Sequence, residues 1–148
     1  MNKLFALLSI LSLTTLLGSC SKNDATPTTT TNTTTNLTAN INGGQQVPAN
    51  ASTATGTFVG TYASNNKQLT YTVTFQGLTA TSAHIHTGAP GTSGAVAIPF
   101  ATLTSPIQGT VTLTADQANS LLNNSMYVNI HSSTYGGGGE IRGDIKKQ

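Results

Sequence analysis

Charge is what this chain has least of, since only 7% of its 148 residues are Asp, Glu, Lys or Arg. From Leu37 to Gly139 the charged residues are Lys67 and Asp116 alone, so ion pairs cannot organise the body of the protein. The formal net charge of +2 is small and its basic residues are scattered, with Lys146 and Lys147 at the tail. A nucleic-acid surface needs a clustered stripe of Lys and Arg, so nucleic acid is excluded as a partner. There is no Trp, and Cys20 is the only cysteine, which rules out disulfides and thiolate metal sites in everything that follows it. No Gly-X-Ser-X-Gly occurs and no Ser/His/acid spacing stands out, so nothing supports nucleophilic catalysis. Gly88 to Gly94 lacks a following Lys-Ser/Thr and a helix, which makes it a hairpin loop and not a phosphate cradle.

What is present begins with an address. Lys3 precedes an apolar run from Leu4 to Leu17, the layout of a secretory signal and too short for a transmembrane helix. The run ends in Leu17-Gly18-Ser19-Cys20, which resembles the bacterial lipoprotein signal, where a cysteine after small residues is lipidated and becomes the mature N-terminus. Several acyl chains on Cys20 would anchor the protein to a membrane far more firmly than one. Residues 1–19 are therefore read as a lipoprotein signal peptide, and the expected location is the bacterial cell envelope, as an outer-membrane lipoprotein. The charged Ser21-Lys22-Asn23-Asp24 stretch leaves periplasmic and outer-surface display both open. Residues 20–36, rich in Thr and Asn, have almost nothing apolar to bury and read as a disordered tether reaching roughly 20 to 25 Å.

From Leu37 onward short alternating runs are separated by turns. Leu69, Tyr71, Val73 and Phe75 alternate with Thr70, Thr72, Thr74 and Gln76, predicting a strand with an aromatic-rich inner face and a threonine outer face. Similar runs cover 37–41, 54–63, 81–87, 95–100, 109–113, 126–131 and 140–145. One helix interrupts them: Thr114 and Gln117 fit a capping box, Ala118, Leu121 and Leu122 share a face, and Asn123-Asn124 stops it. Seven or eight strands with one short connecting helix predict an all-β domain over residues 37–148, an antiparallel β-sandwich or a small barrel. At about 110 residues it can bury around two thirds of its chain surface and fold alone as a monomer.

All three histidines fall on two of these strands. In Ala83-His84-Ile85-His86 alternation puts His84 and His86 on one face, and in the run from Met126 it puts Tyr127, Asn129 and His131 together. If the strands are neighbours, the three imidazoles converge. Glu140, Arg142 and Asp144 alternate on the last strand, where a hairpin with Tyr127–His131 would bring Glu140 close to His131. One reading is a metal site of His84, His86 and His131, with Cu or Zn as the ion, and with Glu140 as fourth ligand or as partner to an imidazole N–H and Arg142 beside it. The other leaves the histidines as hydrogen-bonded polar residues on a solvated strand face, with Glu140 and Arg142 a surface ion pair.

The same stretches carry a resemblance. Gln46-Val47-Pro48, Ala83-His84-Ile85-His86, Leu113-Thr114 through Leu121-Leu122, Tyr127-Val128-Asn129-Ile130-His131 and Gly139-Glu140-Ile141-Arg142-Gly143 are similar to the motifs of the CHRD domain, the module named from chordin and found in many bacterial secreted proteins. The resemblance covers nearly everything after the tether and implies an all-β, immunoglobulin-like domain with no firmly established activity. In chordin the domain belongs to a protein that binds growth factors. Two departures stand out. Gln46 occupies a position where an acidic residue is common, and Ser133 to Gly138 replaces a shorter segment that usually contains Pro. A more distant likeness to Cu/Zn superoxide dismutase rests on the fold and a His-X-His strand, and fold does not carry function. The sequence therefore favours a lipid-anchored binding module for a protein or glycan partner, with a metal-dependent enzyme or a purely structural surface protein as the alternatives.

Overall fold

The threonine-faced run predicted around Tyr71 is a strand that buries Leu69, Tyr71 and Val73 and leaves Thr70 and Thr74 exposed. The same alternation builds most of the protein, seen here as a computed structural model that describes residues 31–135 and 137–148. The stretch read as a signal segment, Cys20 and the stretch read as tether as far as residue 30 lie outside the described residues. In chain order the elements are β1 (Thr34–Asn42), a 3₁₀ turn (Gly43–Gln45), β2 (Thr55–Ala63), β3 (Gln68–Gln76), β4 (Ala80–Thr87), β5 (Val96–Pro99) and β6 (Ile107–Thr112). Then follow α1 (Ala115–Leu122), β7 (Met126–Ser132), β8 (Ile141–Asp144) and β9 (Lys146–Lys147). β1 begins at Thr34, inside the stretch read as tether, because its backbone finds a partner in Thr61–Ala63 of β2.

The strands are antiparallel and run in the order β5-β4-β7-β8-β1-β2-β3-β6, with β9 added to β1. Two four-stranded blocks meet at a thin seam, where Asn42 of β1 is the one residue paired with β8, through Arg142. The sheet curls at that seam so that its two ends meet: Tyr71 on β3 and Phe100, just past β5, have ring centroids 5.2 Å apart. The result is the expected all-β sandwich. Its core is lined from one block by Leu37, Phe58 and Leu69 and from the other by Ile85, Val128 and Ile130, all fully buried.

The helix forms as its caps dictate. Thr114 Oγ1 accepts from the Gln117 backbone N–H at 3.2 Å, and Gln117 Oε1 accepts from the Thr114 N–H at 3.0 Å. Ala118 and Leu121 face the core, and Gln117 Nε2 donates to the Ala97 carbonyl, tying the helix to β5.

The outer faces of the two blocks differ. On β1-β2-β3-β6 the outward residues are almost all Thr, Asn and Gln, and hydroxyls meet across strands, as between Thr57 and Thr74 at 2.7 Å. On β4-β7-β8 the outward residues are His, Tyr, Asn and Arg, and three loop segments cover them. Gln46 Nε2 donates to Asn129 Oδ1 at 2.7 Å, and Asn129 Nδ2 donates to the Gly138 carbonyl at 3.1 Å. Arg142 Nη1 donates to the Thr92 carbonyl at 2.7 Å, drawing in the 88–94 loop.

Candidate metal centre

β4 and β7 are direct neighbours, and their register decides where the histidines meet. His84 lies opposite Asn129, His86 opposite Tyr127 and Ser82 opposite His131. Directly opposed residues share a face, so alternation along each strand puts all three histidines on the same outer surface. Ala83 and Ile85 point the other way and are buried in the core, which fixes this orientation. A register shift between Ala80 and Ser82, where β4 carries one extra residue, sets this pairing at the His131 end. His84 sits in the middle, with its ring centroid 5.6 Å from both His86 and His131 and its plane nearly perpendicular to each.

One nitrogen from each ring completes a group whose ligand atoms all lie within 4.8 Å of one another. Nitrogens on a tetrahedral ion with bonds of 2.0–2.1 Å sit about 3.3 Å apart, so a bound ion would draw the rings inward by modest side-chain rotation. His86 is the most firmly aimed. Its Nδ1 is 3.0 Å from the Gly94 carbonyl, which can only accept, so Nδ1 carries the proton and Nε2 presents its lone pair. Among the described residues His86 Nε2 and His84 Nδ1 are buried without a hydrogen-bond partner. Burial, and next the neighbouring His86 and His131 imidazoles, hold the His84 pKa below the usual histidine value, which keeps its ring neutral and able to ligate.

Behind His86 stands a stack. The Tyr127 ring lies parallel to the imidazole with centroids 4.9 Å apart, and the Arg142 guanidinium carbon is 3.6 Å from the Tyr127 centroid. Gly94 staples this stack through both of its backbone groups, since its N–H donates to the Tyr127 hydroxyl at 3.1 Å and its carbonyl takes the His86 proton. A side chain at Gly94 would run into the Thr87 carbonyl oxygen, so the staple requires glycine. Arg142 is 1% exposed and its Nε and Nη2 both donate to Asp144 Oδ1, at 3.0 and 2.8 Å.

The expectations for the last strand divide. Arg142 stacks on Tyr127 and pairs with Asp144, one of the two acids the alternation put within its reach. Glu140 does not join the histidine group. Its Oε1 accepts from Ser52 Oγ at 2.6 Å, and Asn50 Nδ2 donates to its carbonyl at 2.9 Å, so the segment before β2 captures the residue. Glu140 lies before the first residue of β8, where strand alternation no longer fixes its direction, and Gly139 before it has φ +92°. Neither fourth ligand nor imidazole partner, Glu140 pins a loop.

The sequence profile of the CHRD domain matches residues 37–145, the whole of the sandwich but the first residues of β1 and all of β9. The chain belongs to the CHRD family. No curated protein and no solved structure matches it. Within this CHRD domain the residues that hold the histidine group in place were legible only in part. Tyr127 and Asn129 alternate with His131 and so share its face, and Gln46 opens one of the family's motifs. The role of Gly94 has no sequence signal beyond a glycine in a loop.

Proposed function

We propose that this CHRD domain is a metal-binding module in which His84, His86 and His131 hold one Zn(II) or Cu(II) ion, presented from the cell envelope through a lipidated Cys20. The observation that carries the reading is the convergence of three imidazole nitrogens within 4.8 Å, with the His86 tautomer set by Gly94 so that Nε2 faces the group. Nitrogen-only ligands suit both ions, and three protein ligands leave a coordination position open, the arrangement of a site that binds or exchanges ligands. The commitment of Glu140 to Ser52 supports the three-ligand set.

The test uses a chain from Ser21 onward, which keeps every described residue and omits the Cys20 thiol as a competing ligand. It is titrated with Zn(II) and Cu(II) beside a His84→Ala/His86→Ala variant, and metal content is read after dialysis. One ion per chain in the parent and less than a tenth of that in the variant is the expected result. Equal, weak retention by both would sink the reading and leave the histidines structural, with a protein or glycan partner as the next object of search. An assay of redox activity on the copper-loaded protein separates a binding module from an enzyme.

A further inference from the structure

Beside the histidine group the loops enclose a pocket of about 140 Å³, walled by His86, His131, Gln46, Tyr127, Asn129 and Arg142. Its walls hold more donors than they use. Arg142 has five N–H donors and spends four of them, two on Asp144 and one each on the Thr92 and Ala89 carbonyls, which leaves one on Nη1. Among the described residues the amides of Gln46 and Asn129 each spend one N–H and keep one. The Tyr127 hydroxyl accepts from Gly94 and keeps its own proton. Against these four donors stand two uncommitted side-chain oxygens among the described residues, Oε1 of Gln46 and the Ser93 hydroxyl, which can accept or donate. Buried donors are satisfied in folded proteins, so this pocket is built for an occupant rich in acceptors.

Charge narrows the occupant. The Arg142 cation is already matched by Asp144, and Glu140 is tied to Ser52. A divalent ion held by three neutral imidazoles would therefore carry a charge that no group among the described residues offsets. We infer that the open position of that ion faces this pocket and takes a small oxyanion of the carboxylate or carbonate class. One oxygen binds the metal, and the remaining lone pairs accept from Asn129, Gln46, Tyr127 and Arg142. The volume admits only a few heavy atoms, as 140 Å³ corresponds to four or five waters at about 30 Å³ each. Access runs past Val47, which is 37% exposed and lines both this pocket and the wider depression of about 330 Å³ outside it. The inference rests on the metal reading above.

The test is calorimetric titration of sodium formate into the chain from Ser21 onward, loaded with whichever ion it retains and, separately, metal-free. Metal content is measured on the same samples. A Val47→Trp variant narrows the mouth without touching a histidine. The expected result is one formate per retained ion, binding at least tenfold weaker to the metal-free protein, and at least tenfold weaker to Val47→Trp at unchanged metal content. If the parent keeps one ion per chain yet formate binds it no better than the metal-free form, the pocket holds water alone and the inference fails while the metal reading stands. If no ion is retained, both fail together.

Discussion

The two outer faces of the sandwich are made by the same rule and put to opposite use. On β1-β2-β3-β6, alternation sends Thr, Asn and Gln outward, where they meet water and one another; the Thr57–Thr74 and Thr70–Thr110 contacts are exposed. On β4-β7-β8, alternation sends out His86, Tyr127, Asn129 and Arg142, which are buried, and His84 and His131, which are half-buried. The difference lies in what lies over them. Loops from before β2, after β4 and after β7 close over the second face, while among the described residues no loop is tied down in this way over the first. Exposed hydroxyl pairs in water gain little by pairing. Under a cover each polar group must find a partner, and this requirement turns a strand surface into a site.

The sharpest way to break the comparison is to remove a partner from the covered face. Arg142→Met leaves the Asp144 carboxylate and the Thr92 and Ala89 carbonyls without their donors. Removing one partner of a buried ion pair costs about 3–5 kcal/mol, so denaturant unfolding should show a loss of that size in the metal-free protein. A loss below about 1 kcal/mol would mean that the cover is not holding the face together.

A milder change separates fold from site. Tyr127→Phe keeps the ring between Arg142 and His86 but takes away the hydroxyl that accepts from Gly94. The expected cost in stability is about 1 kcal/mol, whereas metal affinity should fall about 10-fold or more because the His86 carbonyl partner loses its anchor. Competition against a chelator of known affinity reads the second number. An unchanged affinity would assign Gly94 no part in aiming His86.

The smallest effect belongs to the open face. Replacing both Thr57 and Thr74 by Val exchanges an exposed hydroxyl pair for two β-branched residues suited to strands, and stability should stay within about 0.5 kcal/mol. A larger loss by the same denaturant measurement would show that the two faces are less different than their burial implies.

Local pattern carried most of the strands. β3, β4 and β7 declare themselves by period-two alternation, the helix by Thr114 and Gln117, and the meeting of the histidines follows once β4 and β7 are neighbours. What alternation cannot express is a contact between residues far apart in the chain. Glu140 was expected beside His131 from strand spacing alone, yet Ser52, 88 positions away, holds its carboxylate. Gln46 reaches Asn129 across 83 positions, and Arg142 reaches Thr92 across 50. The start of β1 is the same lesson at small scale. Thr34 to Asn36 have no apolar side chains to announce a strand, and they form one because the end of β2 offers hydrogen bonds.

The backs of the histidine-bearing strands are core. Ala83, Ile85, Val128 and Ile130 are packed there whatever happens outside, so the frame stands before any ion arrives. A domain of that kind differs from small metal-folded modules, in which stripping the ion unfolds the chain. If the domain holds an ion as proposed, a chelator should empty the site and leave the sandwich standing, so that one molecule could load and release its ion repeatedly.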